Sequence, residues 1–265
     1  MSNTATGSST PSLFQSERQR EIANATLQAG RVEVADLAAR YHVTTETIRR
    51  DLSDLQHQKV VRRVHGGAVP WETTGFEPLL SVRRDQHDDE KRRIALAAVE
   101  ELPDSGSIII DSGSTLATFA RAVPSTTSLR IVTNALNVAQ VLSERSEADV
   151  IVVGGKVRKN TLAMVDTQAI AAIEPLTVDT LFISSDGLSS AVGLTTPYRE
   201  EAALKSAMIA SARRVVALID HSKFGKEHFT RFAEWTDIDV LITNAEADPA
   251  ATSAIEAAGT IVVLT

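Results

Sequence analysis

The sequence predicts two domains, a small winged helix-turn-helix near the N-terminus followed by a larger α/β domain with a parallel-rich sheet. The length of 265 residues exceeds that of one typical domain. Residues 17–70 carry nine Lys or Arg against seven Asp or Glu, a net of +2, so the overall −7 leaves −9 for the remainder. In that remainder, short apolar runs alternate with helical patterns, which is typical of strands buried in a parallel sheet.

Composition also indicates where the domains begin and end. Residues 1–13 carry no side-chain charge and no apolar run, and we expect a flexible tail. Residues 14–69 are predicted to form the winged helix-turn-helix. Pro70, Gly75 and Pro78 interrupt regular structure, which predicts a linker at 70–80 and the α/β domain at 81–265.

The first domain shows three helical segments and a hairpin. Residues 15–29 are rich in helix formers, and a short second helix is expected from Val34 to about Tyr41. Thr44 is a suitable N-cap for a third helix, whose apolar stripe is Ile48, Leu52 and Leu55. A β-hairpin wing is expected to turn at His65-Gly66-Gly67.

The polar side of the third helix, away from its apolar stripe, is predicted to bind DNA. Arginine presents a planar fork to guanine edges or phosphates, and threonines near a helix N-terminus bind phosphates. The alternative is that Arg49 and Arg50 solvate a surface helix and pair with Asp51 or Asp54. The predicted DNA-binding residues are Thr44, Thr45, Thr47, Arg49, Arg50, Ser53, Arg62, Arg63 and His65.

Apolar runs in the second domain predict buried strands, separated by helices. The predicted strands lie at 108–110, 131–132, 150–153, 181–183, 215–219, 240–242 and 261–264. The predicted helices lie at 91–102, 136–142, 200–212 and 249–258, the last with Asp248 as its N-cap.

A candidate small-molecule site lies at the ends of these strands, where open α/β sheets bind ligands. The strand at 108–110 continues into Asp111-Ser112-Gly113-Ser114-Thr115, where hydroxyls and free N–H groups at a helix start favour an anion. The same residues would equally serve as an ordinary helix cap. Thr133-Asn134 and Gly154-Gly155-Lys156 follow two further strands, although a Gly-Gly pair is often only a turn and a lone lysine is often solvated.

Further polar residues follow the later strands. Asp186 follows the strand at 181–183, and Lys223 follows the strand at 215–219. Glu201 and Lys205 are four residues apart on a predicted helix, where they either stabilise the helix as a pair or contact a ligand.

The run Val43-Thr44-Thr45-Glu46-Thr47-Ile48-Arg49-Arg50-Asp51-Leu52, with His65-Gly66-Gly67-Ala68, resembles the helix-turn-helix of DeoR-family sugar-metabolism repressors. The resemblance extends from about Phe14 to the C-terminus. It implies a sensor domain similar to ribose-5-phosphate isomerase and coenzyme A transferase domains, which responds to phosphorylated sugars or related metabolites.

By residue-for-residue match, the resemblance implies an effector pocket, to which the strand-end position adds Lys156. Its residues are Asp111, Gly113, Ser114, Thr115, Thr133, Asn134, Gly154, Gly155, Lys156, Asp186, Glu201, Lys205 and Lys223. The chain departs from the family at Asp166, where a glycine is common. A carboxylate there would repel a phosphate or bond sugar hydroxyls.

The expected function is therefore sequence-specific repression of carbohydrate-metabolism genes, relieved by a sugar phosphate or related metabolite. Two alternatives stay open: a sugar-phosphate isomerase using Asp186, Glu201 and Lys205 as acid–base groups, and an activator without an effector. We expect no cofactor and no catalytic residue, and no metal site because the six histidines are scattered. A homo-oligomer, no membrane association and a cytoplasmic location complete the prediction.

Overall fold

The computed structural model describes residues 14–29, 31–58, 60–71, 80, 83 and 86–265. The chain divides into two compact units between Pro78 and Leu79. The predicted tail and most of the predicted linker, residues 72–79, lie outside the described residues. Within the described ranges, no helix combines the length and apolar character needed to cross a membrane.

The N-terminal unit contains the predicted helices and wing. The helices are α1 (Gln15–Ala29), α2 (Val34–Arg40) and α3 (Thr45–His57), and the strands are β1 (Val32–Glu33), β2 (Val61–Val64) and β3 (Gly67–Pro70). The antiparallel β2–β3 hairpin is joined by β1, which was not predicted and which pairs with β3. A side chain at Gly67 would lie 1.9 Å from the Val32 carbonyl oxygen, so this extra pairing requires glycine.

Apolar side chains of the helices and the wing form one small core. The predicted stripe of α3 is buried, with Ile48 and Leu52 fully inaccessible. Leu37 of α2 and Ile22 of α1 are buried as well, and the wing contributes Val61. The apolar side of α3 is thus used for packing, which leaves its polar side toward solvent.

The C-terminal unit contains a seven-stranded, fully parallel sheet in the order β15-β14-β12-β9-β4-β5-β6. Its strands are β4 (Ser107–Ile110), β5 (Arg130–Thr133), β6 (Asp149–Val152), β9 (Thr180–Ile183), β12 (Val215–Leu218), β14 (Val240–Thr243) and β15 (Ile261–Leu264). Its helices are α4 (Asp88–Val99), α5 (Ser114–Ala122), α6 (Leu136–Arg145), α7 (Thr167–Ile173), α8 (Arg199–Ala210) and α9 (Pro249–Ala257). All predicted strands are present, whereas α7 was not predicted.

Helices cover both faces of this sheet, which explains the continuous apolar strands. Ile109 and Leu181 belong to a core that includes residues of α7, α8 and α9, whereas Ile108, Ile110 and Phe182 belong to a second core with α4, α5 and α6. Successive residues of one strand therefore enter different cores.

The strand order creates a switch point in the middle of the sheet. The chain places β5 and β6 on one side of β4 and then places β9, β12, β14 and β15 on the other side. The connections leaving β4 and β9 diverge at their carboxyl ends, and open α/β sheets bind ligands in the crevice at such a point.

Two small antiparallel structures lie beside the main sheet and were not predicted. One is the hairpin of β7 (Lys156–Arg158) and β8 (Ala163–Val165). The other is a sheet of β10 (Gly187–Ser189), β11 (Gly193–Thr196) and β13 (Thr230–Ala233). Both begin within a few residues of a main-sheet strand end, so they bring additional side chains to the switch-point edge.

Candidate nucleic-acid interface and ligand site

The start of α3 is fixed by threonine hydroxyls. The Oγ1 of Thr44 accepts a hydrogen bond from the N–H of Thr47 at 3.1 Å, as the predicted N-cap requires. The two hydroxyl oxygens lie 2.9 Å apart. Thr45 is exposed and adjoins the cap, so its side chain and the helix N-terminus face solvent together.

The buried side of α3 is attached to α1 through acidic residues. Arg18 Nε donates to Asp51 Oδ2 at 2.6 Å, with the two side chains only 10% and 1% exposed. Gln15 and Gln19 donate to Asp54 at 3.1 and 2.9 Å. Both carboxylates that were the alternative partners of the α3 arginines are therefore engaged with α1.

The arginines of α3 and the wing form an exposed cationic face. Arg49 makes one exposed ion pair, with Glu46 at 3.3 Å, and Arg63 donates from Nη1 to the Ser53 hydroxyl at 2.8 Å. Arg50 and Arg62 are exposed, and within the described ranges neither has an ion pair. We call the surface formed by the nine predicted DNA-binding residues the α3–wing face.

Grooves on the α3–wing face bring most of these residues together. One groove of about 590 Å³ is lined in part by Thr44, Thr47, Arg49, Arg50, Ser53 and Arg63. An adjacent groove of about 430 Å³ is lined in part by Thr45, Arg49, Arg63 and His65. Arg62 lies on β2 and lines neither groove.

In the second unit, a buried chain of ion pairs occupies the switch point. Lys205 Nζ donates to Oδ2 of Asp111, the residue that follows β4. It also donates to the carbonyl oxygen of Ser184, the residue that follows β9, at 2.9 Å. Glu201 lies 3.9 Å from the same ammonium and also binds Arg158 of the β7–β8 hairpin. Four alternating charges thus connect α8, both central strands and the hairpin.

These contacts fix the ionisation of Lys205. Burial alone would lower the pKa of the ammonium, but the carboxylates of Asp111 and Glu201 outweigh burial and raise it above its ordinary value. The side chain is 3% exposed. Lys205 is therefore a permanent cation at neutral pH.

A second charged group lies beside the first. Asp186 accepts from the Thr196 hydroxyl at 2.8 Å and lies 3.3 Å from the Arg83 guanidinium. Burial would raise the pKa of Asp186, but Arg83, Lys223 and Lys205 together hold it below its ordinary value. The pKa of Lys223 is lowered, first by burial and then by the like charge of Arg83.

The turn after β4 provides an open helix start. Gly113 has φ +130°, which a side chain would strain, and it precedes the first turn of α5. Ser114 and Thr115 are buried within this turn. Glycine offers no capping side chain, so the first N–H groups of α5 depend on other acceptors.

Thr133 and Asn134, at the carboxyl end of β5, differ in whether their side-chain oxygens already have a hydrogen-bond partner. The hydroxyl of fully buried Thr133 accepts from the N–H of Ala135 at 3.1 Å, which is a local role. Asn134 donates from Nδ2 to the Met164 carbonyl at 3.2 Å, while its buried Oδ1 has no hydrogen-bond partner in the described part of the chain. That oxygen can accept from a ligand hydroxyl.

The turn after β6 is organised by Asp166. Its Oδ1 accepts from the N–H groups of Gln168 and Ala169, at 2.9 and 3.1 Å, and its Oδ2 accepts from the Lys156 N–H at 3.0 Å. These bonds, that of Ala169 first, lower the pKa of Asp166. Asp166 has φ +131°, a conformation that favours glycine. Its carboxylate is thus engaged in capping α7, and the expectation that it would repel a phosphate or bond sugar hydroxyls stays a prediction.

The structure places the predicted ligand-site residues at one edge of the sheet but in different environments. Asp111, Glu201 and Lys205 are connected directly by the ion pairs above. Gly154 and the Lys156 side chain are exposed on the turn and hairpin that follow β6.

The predicted pocket does not include several charged or aromatic residues of this edge. Arg158 lies 3.8 Å over the Tyr198 ring and pairs with Glu201, and Arg83 pairs with Asp186. Lys91 donates to the carbonyl oxygens of Arg83 and Gln86. A lone arginine in a polar run carries no signal of its partner, because Glu201 lies 43 residues from Arg158 and Asp186 lies more than one hundred residues from Arg83 along the chain.

The fold brings two of the scattered histidines together. His87, Glu90 and His221 are the one group of possible metal ligands found in the described ranges. However, the Oδ1 of Asn244 accepts from the backbone N–H of His221, and its Nδ2 donates to the ring Nδ1 of His221, both at 2.8 Å. This places the ring proton on Nε2 and leaves no free lone pair on the imidazole, so we assign no metal to the group.

Two family models match the chain. A model described as the DeoR C terminal sensor domain matches residues 86–245, and a model described as the DeoR-like helix-turn-helix domain matches residues 18–74. The chain is 35% identical over 251 residues to the HTH-type transcriptional regulator GlpR of Haloferax volcanii, covering 95% of this chain and 98% of that protein.

Other relatives carry the names of repressors. The chain is 31% identical over 239 residues to the glycerol-3-phosphate regulon repressor of Escherichia coli, covering 88% of this chain and 92% of that protein. Among solved structures, the full-length sorbitol operon regulator SorC from Klebsiella pneumoniae aligns with a TM-score of 0.39 at 9% identity, covering 94% of this chain and 96% of that one. Ribose 5-phosphate isomerase A from Methanocaldococcus jannaschii aligns with a TM-score of 0.40 at 17% identity, covering 52% and 55%.

Proposed function

The chain belongs to the DeoR family of transcriptional regulators, and we propose that it represses carbohydrate-metabolism genes until a phosphorylated sugar or related metabolite binds its sensor domain. The names of the relatives support repression and carbohydrate metabolism. DNA binding takes place where the chromosome is, so the proposal includes a cytoplasmic site of action.

The proposal of DNA binding rests on the exposed arginines of the α3–wing face. Its arginines are exposed, and among the described residues Arg50 and Arg62 have no anionic partner to give up when a phosphate or guanine approaches. Asp51 and Asp54 are held by α1, so they do not compete with DNA for these cations. Thr45 and the N-terminus of α3 offer phosphate contacts.

The switch-point site supports binding of an anionic polyol. The first turn of α5 behind Gly113 favours an anion, and Lys223 and Arg83 supply positive charge near Asp186. The Oδ1 of Asn134, which has no hydrogen-bond partner among the residues that the structure describes, fits a hydroxyl donor. The predicted effector residues at the other strand ends complete the proposed pocket.

We include no catalytic role in the proposal. Proton transfer beside a carbonyl needs a group whose pKa lies near the working pH. Lys205, however, is held protonated by Asp111 and Glu201, while Asp186 is held ionised. Incubation with ribose 5-phosphate should therefore give no aldose–ketose conversion. Sustained turnover by the purified chain would contradict the absence of a catalytic role.

A homo-oligomer is also part of the proposal. A helix-turn-helix reads a few base pairs, and two copies spaced by one helical turn of DNA provide useful affinity and a palindromic site. Sedimentation of the full chain should give a species of at least two copies.

The decisive experiment on DNA binding starts from sheared duplex from the source genome, incubated with full-length protein. We expect a specific fragment to be retained, and Arg50→Ala to weaken its binding by about 1 to 3 kcal/mol at fixed salt. Arg92→Ala is the control, since Arg92 lies exposed on α4 of the other unit. Retention of no fragment by the wild type would overturn the proposed function.

The effector is tested by thermal shift with glycerol 3-phosphate, fructose 1-phosphate, ribose 5-phosphate and the corresponding free polyols. A ligand that binds only the folded state raises the unfolding temperature. We expect phosphorylated compounds to act and the double variant Ser114→Ala, Thr115→Ala to lose the shift. An equal response of that variant would remove this turn from the pocket.

A further inference from the structure

We infer that Arg83 and Lys91 form the coupling element of the repressor, fastening the segment that enters the sensor domain to the effector site. The inference rests on the proposed function and deepens it, because it names the contacts through which an occupied pocket changes DNA affinity. Neither residue was predicted from sequence, and neither belongs to the α3–wing face.

The segment concerned lies directly after the division of the chain into two units. Leu80, Arg83, Gln86 and His87 are its described residues, and each one is held by a residue of the sensor unit. The Leu80 N–H donates to the Asn160 carbonyl at 2.8 Å, and the His87 ring packs edge-on against His221 with centroids 5.0 Å apart. These four described residues are therefore fixed points at which the segment is attached to the sensor unit.

Two of the fixed points are made by the charged groups of the ligand site. Arg83 reaches Asp186 at 3.3 Å, with the two side chains only 11% and 13% exposed. Lys91 is 3% exposed and donates to the main-chain oxygens of both Arg83 and Gln86. One contact holds the Arg83 side chain and the other holds its backbone.

The same contacts are sensitive to a ligand. Asp186 is balanced by Arg83, Lys223 and Lys205, so an anion that binds these cations competes with the carboxylate for them. Lys91 lies in the field of Asp220, Lys223 and Arg83. An anionic effector thus weakens the attachment of residue 83, which is the differential contact that coupling requires.

Hairpin β7–β8 gives a second route to the same segment. Asn160, which holds Leu80, lies two residues after Arg158, and Arg158 binds Glu201 of the ion-pair chain. Movement of that chain around a ligand would be passed to residue 80 as well. Both routes end on the segment that continues into the DNA-binding unit, which makes the chain itself the connection.

The test uses DNA affinity without any effector. The probe is the genomic duplex retained by the wild-type full chain, measured at fixed salt. In this proposal an effector weakens the Arg83–Asp186 pair, so the intact pair belongs to the DNA-binding state. We therefore expect Arg83→Gln and Asp186→Asn each to weaken binding about fivefold or more, in the range of typical allosteric coupling. The double variant should be no weaker than the weaker single variant, because both remove the same contact.

Two controls separate coupling from misfolding. Arg92→Gln breaks an exposed ion pair with Asp88 and should have no effect on DNA affinity. Circular dichroism at the assay temperature confirms that each variant is folded.

The outcomes decide between the two claims. If Arg83→Gln and Asp186→Asn bind within twofold of wild type, or if their losses add in the double variant, the inference is wrong while the proposed function stands. If the wild type retains no duplex, the proposed function fails first.

Discussion

Arginines occupy both proposed sites, but their surroundings differ. On the α3–wing face, Arg50 and Arg62 are exposed and without ion pairs among the described residues. At the switch point, Arg83 and Arg158 are at most 13% exposed and lie against Asp186 and Glu201. DNA can bind the first site by adding contacts, whereas a ligand at the second must replace contacts that already exist. If the proposed sites bind as described, we therefore expect ligand binding to change the sensor more than DNA binding changes the α3–wing face.

The most severe test of this comparison is removal of a buried cation. Lys205→Ala leaves the carboxyl group of Asp111, which is 1% exposed, without its ammonium partner, and we expect a loss of about 3 to 5 kcal/mol in the unfolding free energy of the sensor domain. Urea titration followed by circular dichroism measures the loss. The matched control is Arg130→Ala, whose exposed pair with Asp149 at 2.9 Å should contribute less than about 1 kcal/mol.

A double variant sharpens the same prediction. Replacing both partners, Asp111→Leu with Lys205→Met, removes the unpaired charge and should recover much of the lost stability, since buried pairs are often replaceable by apolar residues. Equal losses in the single and double variants would mean that packing, and not charge, is responsible.

Sequence patterns predicted the parts of the molecule that depend on local chemistry. Thr44 and Asp248 cap α3 and α9 as expected, because a capping side chain bonds N–H groups two or three residues away. The apolar runs predicted every strand of the main sheet, and the strand ends predicted the edge at which polar residues meet.

The missed features depend on distant partners. Asp51 pairs with Arg18, 33 residues away, and Arg83 pairs with Asp186 across more than one hundred residues. Strand β1 has only two residues, too few for a period-two pattern, and exists because Gly67 lets β3 approach it. The predicted roles of the individual site residues remain predictions.

Among the buried cations near the switch point, Lys91 is tested by the pH dependence of the unfolding free energy. Burial, first among several causes, lowers its pKa from 10.5 to about 8 in the folded state. Below pH 8 both states are protonated and the burial cost is fully present. Between 8 and 10.5 the unfolded chain holds the extra proton, so stability should rise with pH, by on the order of 3 kcal/mol over the window.

Lys91→Met provides the comparison for that rise. The variant keeps a long apolar side chain without the titrating group. Its unfolding free energy should therefore lack the rise with pH that Lys91 contributes in the wild type. Urea midpoints across the interval from pH 8 to 10.5 give the difference. Parallel curves for the two proteins would show that Lys91 keeps its ordinary ionisation in the folded state.

For Arg62, on the exposed α3–wing face, we predict an effect on the salt dependence of DNA affinity and none on sequence preference. If Arg62 contacts a DNA phosphate, Arg62→Ala should lower the slope of log affinity against log salt by about one and weaken all duplexes alike. Arg50→Ala should instead reduce the preference for the retained fragment over unrelated duplex. Electrophoretic shifts at several salt concentrations distinguish the two, and an unchanged slope for Arg62→Ala would exclude a phosphate contact.

Asp166 provides the intermediate case, a half-buried carboxylate paired with N–H groups instead of a cation. Its φ of +131° costs energy for any residue with a side chain, and its three hydrogen bonds offset that cost. Asp166→Ala loses the bonds and keeps the strain, whereas Asp166→Gly loses both. We therefore expect the alanine variant to be less stable than the glycine variant by about 1 kcal/mol in urea titration. Equal stabilities would mean that the turn rearranges when the carboxylate is removed, in which case the cap, and not the backbone, determines the geometry of the Gly154–Gly155 turn.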